Sequence, residues 1–235
     1  MRTRLALAPL ALALLAATAA IGVEAAGAAD ECKGLRVCLP FPGPWVVVPV
    51  GGVEYELACP LPGYIVAGTD ARVATRDIDV SFRGETGSPI GPGVTTRRSV
   101  VFQASRSRAG AGSSSFRPFI GCIPTRGGGG RALTSRSARS PGVRPGQPVR
   151  SVVVARPVRT RALVVRITCP AGSRLVGSTH AVAFRQRLSP SDTMLGAVRV
   201  DRTVVSGVLV ARVTSTAASG PTAEVQVRAL CGRAQ

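Results

Sequence analysis

Cys59-Pro60-Leu61-Pro62-Gly63 leads into Tyr64-Ile65-Val66-Ala67-Gly68, and Cys169-Pro170-Ala171-Gly172 leads into Ser173-Arg174-Leu175-Val176-Gly177. Both stretches read as Cys-Pro, a short turn with glycine, an apolar strand, then glycine. The likeness continues, with Val73-Ala74-Thr75-Arg76 falling over Val182-Ala183-Phe184-Arg185 and Cys122 falling over Cys231. The offset is 110 residues at the first cysteine and 109 afterwards, so a single deletion accounts for the difference. A shared offset bracketed by cysteines at both ends marks an internal repeat. Two copies are too few for a solenoid, and the expectation is two units side by side.

The repeat narrows the disulfide pattern. Six cysteines, Cys32, Cys38, Cys59, Cys122, Cys169 and Cys231, allow 15 pairings. Giving each copy the same bridge selects Cys59–Cys122 and Cys169–Cys231, which leaves Cys32–Cys38 to close a small loop. In the chain-entropy picture each long bridge contributes about 4 kcal/mol by restricting the unfolded chain.

Between these cysteines the pattern is strand. Val53, Tyr55 and Leu57 alternate with Glu54 and Glu56, and Val225 and Val227 alternate with Glu224, Gln226 and Arg228. Period-two alternation places the valines inward and the polar residues outward. Trp45 to Val50 and Val53 to Ala58 flank Gly51-Gly52, which predicts a hairpin. Further strands are expected at Ile78, Val80, Val100, Phe102, Phe116–Ile120, Ser151–Ala155, Ala162–Thr168, Arg174–Val176, Ala197–Val200, Val204–Val213 and Glu224–Leu230. No stretch after the N-terminal segment sustains a helical apolar stripe. The fold class expected is therefore all-β, with two tandem antiparallel β-sandwich units of immunoglobulin-like kind, each closed by one disulfide.

Met1-Arg2-Thr3-Arg4 followed by the apolar run Leu5–Ile21 has the form of a secretory signal helix. Cleavage is expected after Ala19 or Ala28. The rival is an uncleaved anchor, because about 17 apolar residues just span a thin bilayer. The expected organisation is a signal peptide at 1–28, a first unit at 29–124, a linker at 125–149 and a second unit at 150–235. The linker is rich in glycine, proline and arginine and reads as a tether. An even cysteine set behind such a leader points to a secreted or envelope-associated protein with no stable membrane span after cleavage.

The pattern Cys-Pro-x2–3-Gly-x4–5-Gly, then strands, then a closing cysteine resembles repeats in secreted actinobacterial proteins of unknown function. It covers about residues 57–123 and 167–232. The resemblance implies an exported β module and brings no activity with it. Twenty-nine arginines against one lysine agree with a GC-rich genome.

Charge is the main functional signal. The chain carries 30 Lys+Arg against 12 Asp+Glu, a formal net charge of +18. No acid occurs from Thr86 to Ser191, a stretch with 18 arginines. Such a run concentrates anions, and guanidinium pairs bidentately with phosphate and carboxylate. The expectation is a non-catalytic protein that binds or coats an anionic cell-envelope polymer or another polyanion, with Arg126, Arg131, Arg136, Arg139, Arg144 and Arg150 as contacts. The bland alternative is codon bias with solvated arginines. No nucleic-acid-recognition motif is present, which argues against sequence-specific readout, and no segment specifies an oligomeric state.

Catalytic patterns are weak. His180 could serve Ser178 or Ser206 as a base with Asp192 or Asp201 behind it, in a hydrolase, but reads more simply as a surface or loop histidine. Asp70, Asp77 and Asp79 offer oxygens for calcium, yet Arg76 and Arg83 stand near to pair with them. Gly127–Gly130 lacks the Lys-Ser/Thr of a phosphate loop. No Cys-x2-Cys pair suits zinc. No cofactor is expected. A third alternative is an inhibitor or protein-binding module presenting Pro40-Phe41-Pro42-Gly43-Pro44 as a rigid loop.

Overall fold

The computed structural model describes residues 30–35, 37–84, 98–107, 114–125, 150–159, 161–220 and 222–233. The leader at 1–28 lies outside the described residues, as does nearly all of the linker. The described chain is all-β. Its strands are β1 (Leu39–Pro42), β2 (Trp45–Val48), β3 (Val53–Ala58), β4 (Tyr64–Val73), β5 (Ile78–Gly84), β6 (Ser99–Arg106), β7 (Ser114–Pro124), β8 (Arg150–Pro157), β9 (Ala162–Ile167), β10 (Ser173–Phe184), β11 (Val198–Val205), β12 (Val208–Ser215) and β13 (Ala223–Arg233). Helix α1 (Asp192–Leu195) is one turn, and short 3-10 turns occupy Asp30–Cys32 and Ala217–Ser219.

Three antiparallel sheets result. The largest runs β1-β7-β2-β10-β13-β8, with β4 on the other edge of β7. The two smaller ones run β3-β6-β5 and β9-β12-β11. Successive side chains of a strand point to opposite faces, and the large sheet uses both. From β2, Val46 and Val48 enter one apolar cluster and Val47 packs on the other. From β10, Ala181 and Ala183 enter the first, while Phe184 enters the second. The first cluster contains Tyr55, Leu57, Val100 and Phe102 of the β3-β6-β5 sheet. The second contains Val165, Ile167, Leu209 and Val213 of the β9-β12-β11 sheet. The middle of the large sheet therefore has a three-stranded sheet against each face. Strands that are apolar on both sides, such as Trp45-Val46-Val47-Val48, are what such a middle layer requires.

The disulfides are Cys32–Cys38, Cys59–Cys122 and Cys169–Cys231, the pairing expected from the sequence. Cys59 follows β3 and Cys122 lies on β7; Cys169 follows β9 and Cys231 lies on β13. Each long bridge thus staples a small sheet to the large one. The register around these bridges is shared. Val66 faces Cys122 and Gly68 faces Gly121, with one residue bulged between; Leu175 faces Cys231 and Gly177 faces Leu230, again with one residue bulged. A bulge adds twist and bends its strand.

Several sequence expectations are corrected here. β2 and β3 do not form a hairpin: β2 pairs with β7 and β10, and β3 with β6. A turn does form, since the Gly52 amide donates to the Pro49 carbonyl at 3.0 Å. Burial of β2 on both faces draws it into the middle layer and sends β3 to another sheet. Val204–Val213 is two strands, β11 and β12, reversed at Ser206-Gly207, where both residues have positive φ. β10 runs through Phe184, well beyond Val176. Pro40-Phe41-Pro42 belongs to strand β1, paired with β7, and Gly43 and Pro44 are buried, so this stretch is no free loop. β1 pairs on one side only, which is where a strand tolerates proline.

The turn Asp30–Cys32 sits on the large sheet. A Cβ on Gly68 or Gly121 would strike the Glu31 carbonyl, so these glycines leave room for a neighbouring backbone. The Asp30 amide donates to Asp70 Oδ2 at 3.0 Å.

Candidate functional site

Most of the described acids are drawn away from solvent, whereas most of the described arginines are exposed. On β13, Val225, Val227 and Ala229 enter the second apolar cluster, as their alternation requires. Their neighbours Glu224, Gln226 and Arg228 are also buried, where the sequence predicted an outward face. They lie against β3. The Tyr55 hydroxyl donates to Glu224 Oε1 at 2.8 Å, and Arg185 Nε donates to Glu224 Oε2 at 2.5 Å. Gln226 Oε1 accepts from the Glu56 amide at 2.7 Å, and Gln226 Nε2 donates to the Glu56 carbonyl at 2.8 Å. Arg228 pairs with Glu54 at 3.1 Å, and Gln103 donates to the other Glu54 oxygen at 2.9 Å. Burial, followed by the charge of Glu224, pushes the Tyr55 hydroxyl well above its ordinary range, so it stays a donor at any physiological pH.

Asp77 is likewise engaged. Hydrogen bonds from Thr75 and Arg106 hold its carboxyl below the usual carboxylate value, and Arg106 approaches it to 3.0 Å. The partner is Arg106 rather than the expected Arg76. The side chain of Arg83 lies outside the described residues. No group of three or more His, Cys, Asp or Glu suited to a metal ion occurs among the described residues.

This use of acids inside leaves the surface more basic than the composition suggests. Of the ten described Asp and Glu residues only Asp30, Asp79, Asp192 and Asp201 are exposed, against fourteen exposed arginines. Of the predicted polyanion contacts, Arg126, Arg131, Arg136, Arg139 and Arg144 lie outside the described residues. Arg150 opens β8 opposite Cys231 and is exposed.

A group that the sequence reading did not single out lies on the β9-β12-β11 sheet. Leu209, Ala211 and Val213 of β12 point inward, so Arg212 points out. Directly opposed residues of antiparallel strands share a face. Asp201 and Val164 oppose Arg212, Arg199 opposes Thr214, and Arg166 opposes Val210. Arg166, Arg199 and Arg212 therefore share the outer face with a single carboxylate, Asp201. At the sheet's end Arg159 and Arg161 flank a cleft of about 560 Å³ floored by Thr216 and Ser219. Among the described residues none of these five guanidiniums has a carboxylate within 4 Å. The acid-free stretch ending at Ser191 reaches Arg159, Arg161 and Arg166. Only the strand register could have added Arg199 and Arg212.

His180 is in the middle of β10, half-buried, not in a loop. No hydrogen bond joins it to Ser178, Ser206, Asp192 or Asp201 among the described residues. The Ser178 hydroxyl and carbonyl both accept from Arg202, and Ser206 sits in the β11–β12 turn. Burial, then the nearby charge of Arg202, lowers the imidazole's proton affinity, with Asp201 opposing. The serine–histidine–aspartate relay weighed from sequence is not brought together by these contacts.

No helix among the described residues is long and apolar enough to cross a membrane. No family model, no curated protein and no solved structure matches the chain.

Proposed function

We propose that this chain is an exported, non-catalytic β protein that binds anionic polymers of the cell envelope or its surroundings through exposed arginines. The observation that carries the reading is the set of guanidiniums without carboxylate partners among the described residues: Arg159, Arg161, Arg166, Arg199 and Arg212. Arg106, Arg185 and Arg228, by contrast, are paired with Asp77, Glu224 and Glu54. These five are left facing solvent, where planar guanidinium groups suit phosphate, sulfate and carboxylate. Export is supported by three disulfides with no free cysteine among the described residues, a state kept in oxidising compartments.

We read the scaffold as two copies of one immunoglobulin-like sandwich unit, as in the secreted actinobacterial repeats that the sequence resembles. Support comes from the matching sheet orders β3-β6-β5 and β9-β12-β11, and from the coincident bulges beside Cys122 and Cys231.

The test is salt-dependent binding of polyphosphate and polygalacturonate, measured by calorimetry on the full chain. The logarithm of the affinity should fall linearly with the logarithm of salt concentration, because binding releases condensed counterions. Replacing Arg166, Arg199 and Arg212 with Ala should flatten that slope and weaken binding about tenfold or more. Binding that ignores salt, or ignores the triple substitution, would refute the assignment.

A further inference from the structure

β2 and β10 pair at only two positions, Trp45 with Phe184 and Val46 with Ala183. Beyond these the strands part, because Pro49 starts the turn that carries the chain to β3. On one side of the gap lies a cavity of about 350 Å³, walled by Val47, Val50, Val182, Leu195, Val198 and Val200, with Arg106, which is paired with Asp77, also in its lining. On the other lies a cleft of about 530 Å³, whose lining includes Glu54, Asp79, Ser81, Gln103, Thr179 and Arg202. His180 lines both. Among the described residues its Nδ1 is buried without a hydrogen-bond partner, and so is the Thr179 hydroxyl oxygen. Leaving a buried polar atom unpaired destabilises the fold. The His180 nitrogen, where the two cavities meet, and the Thr179 oxygen, on the cleft, are what a hydrogen-bonding ligand would satisfy.

We infer that this crevice binds a neutral amphiphile, with an apolar chain in the valine-lined cavity, a hydroxylated head in the polar cleft, and His180 hydrogen-bonded to the ligand where the two meet. The volumes lie within the range of small-molecule sites, and an apolar wall with a few convergent polar groups is their usual composition. The cleft holds carboxylates and a guanidinium together, so it selects no net charge. Glu54 is already tied to Arg228 and Gln103, and Arg202 to Ser178. Burial and the Arg202 charge favour the neutral imidazole, which offers one donor and one acceptor to a hydroxyl. The inference is independent of polyanion binding, since none of the five unpaired arginines lines either cavity.

The chain has one histidine, so its ring gives a single isolated signal in proton–carbon NMR. Titrating the full chain with 1-monooctanoylglycerol below its aggregation threshold should shift that signal saturably with one-to-one stoichiometry. Val182→Phe, which fills the cavity, should abolish the shift while the urea midpoint stays near wild type. Val200→Phe fills it from the opposite wall and decides the matter if the first variant is unstable. His180→Ala should weaken binding about tenfold by calorimetry. Glycerol, which has no chain, should leave the ring signal in place. Octanoate, which is charged, should bind at least tenfold more weakly. No saturable shift, or a shift indifferent to both filling variants, overturns the site; octanoate binding equally well overturns the neutral head.

Discussion

β7 and β13 occupy matching stations in the large sheet, yet their second faces are covered by different chemistry. Each turns a disulfide cysteine and a run of apolar residues toward a three-stranded sheet. On its other face β7 presents Ser115, Arg117, Phe119 and Gly121, and β13 presents Glu224, Gln226, Arg228 and Leu230. Pieces of loop cover the β7 face. Ser189 meets Ser115 at 3.1 Å, the Gly43 carbonyl accepts from Arg117 at 2.9 Å, and the turn Asp30–Cys32 lies over Gly121. A whole strand, β3, covers the β13 face through paired charges and one side-chain amide. The lesson is that shared register fixes the apolar face of a strand and leaves the opposite face to answer whatever packs on it.

The two long disulfides set the largest effect. Cys59→Ala with Cys122→Ala, and Cys169→Ala with Cys231→Ala, should each cost about 2–5 kcal/mol in urea denaturation. Their loops span 63 and 62 residues, so the two costs should be alike. A large inequality would break the parallel between the two regions.

Next comes Glu224→Ala. It strips the Tyr55 hydroxyl of its acceptor inside the protein and frees Arg185, and should cost about 2–3 kcal/mol. Ser115→Ala, at the matching place on β7, should cost about 0.5–1.5 kcal/mol. Equal costs would mean that the buried polar seam on β13 is no stronger than a hydroxyl pair.

Gly121→Ala should cost about 1–2 kcal/mol through overpacking and lift the turn Asp30–Cys32, read as faster proteolysis ahead of Cys38. The smallest effect concerns Glu31. Its carboxyl is buried with one oxygen unpartnered among the described residues, and burial chiefly, with Asp70 and Asp30 nearby, raises its proton affinity above the ordinary value of 4.5. A carboxyl whose folded-state affinity is raised favours folding while protonated and costs stability as pH climbs. Glu31→Gln should therefore be more stable than wild type at neutral pH, with the advantage gone below pH 4.5. A difference that does not change with pH would remove ionisation from the account.

The sequence reached the apolar side of this comparison. Equal offsets for cysteine, glycine and valine predicted the disulfide partners, and alternation placed Val225 and Val227 in the core. It missed the second face. Glu224, Gln226 and Arg228 look solvated in any local reading, because what buries them is β3, about 170 residues earlier. The expected hairpin at Gly51-Gly52 failed for the same reason: β2 finds partners in β7 and β10, not in the strand that follows it. The strand expected through Val204–Val213 failed locally, since Ser206-Gly207 is a turn signal within an unbroken valine pattern. The five unpaired arginines were legible as charge, but their shared face required the register of β9, β11 and β12.

β2 has one further consequence, which concerns time. It emerges early in synthesis, yet its two neighbours are completed only at residues 124 and 184. Pairings so distant in sequence close slowly. The segment Trp45–Val48 waits bare on both edges until β7 is made and on one edge until β10 follows, so the central layer is set only when the late strands arrive to enclose it.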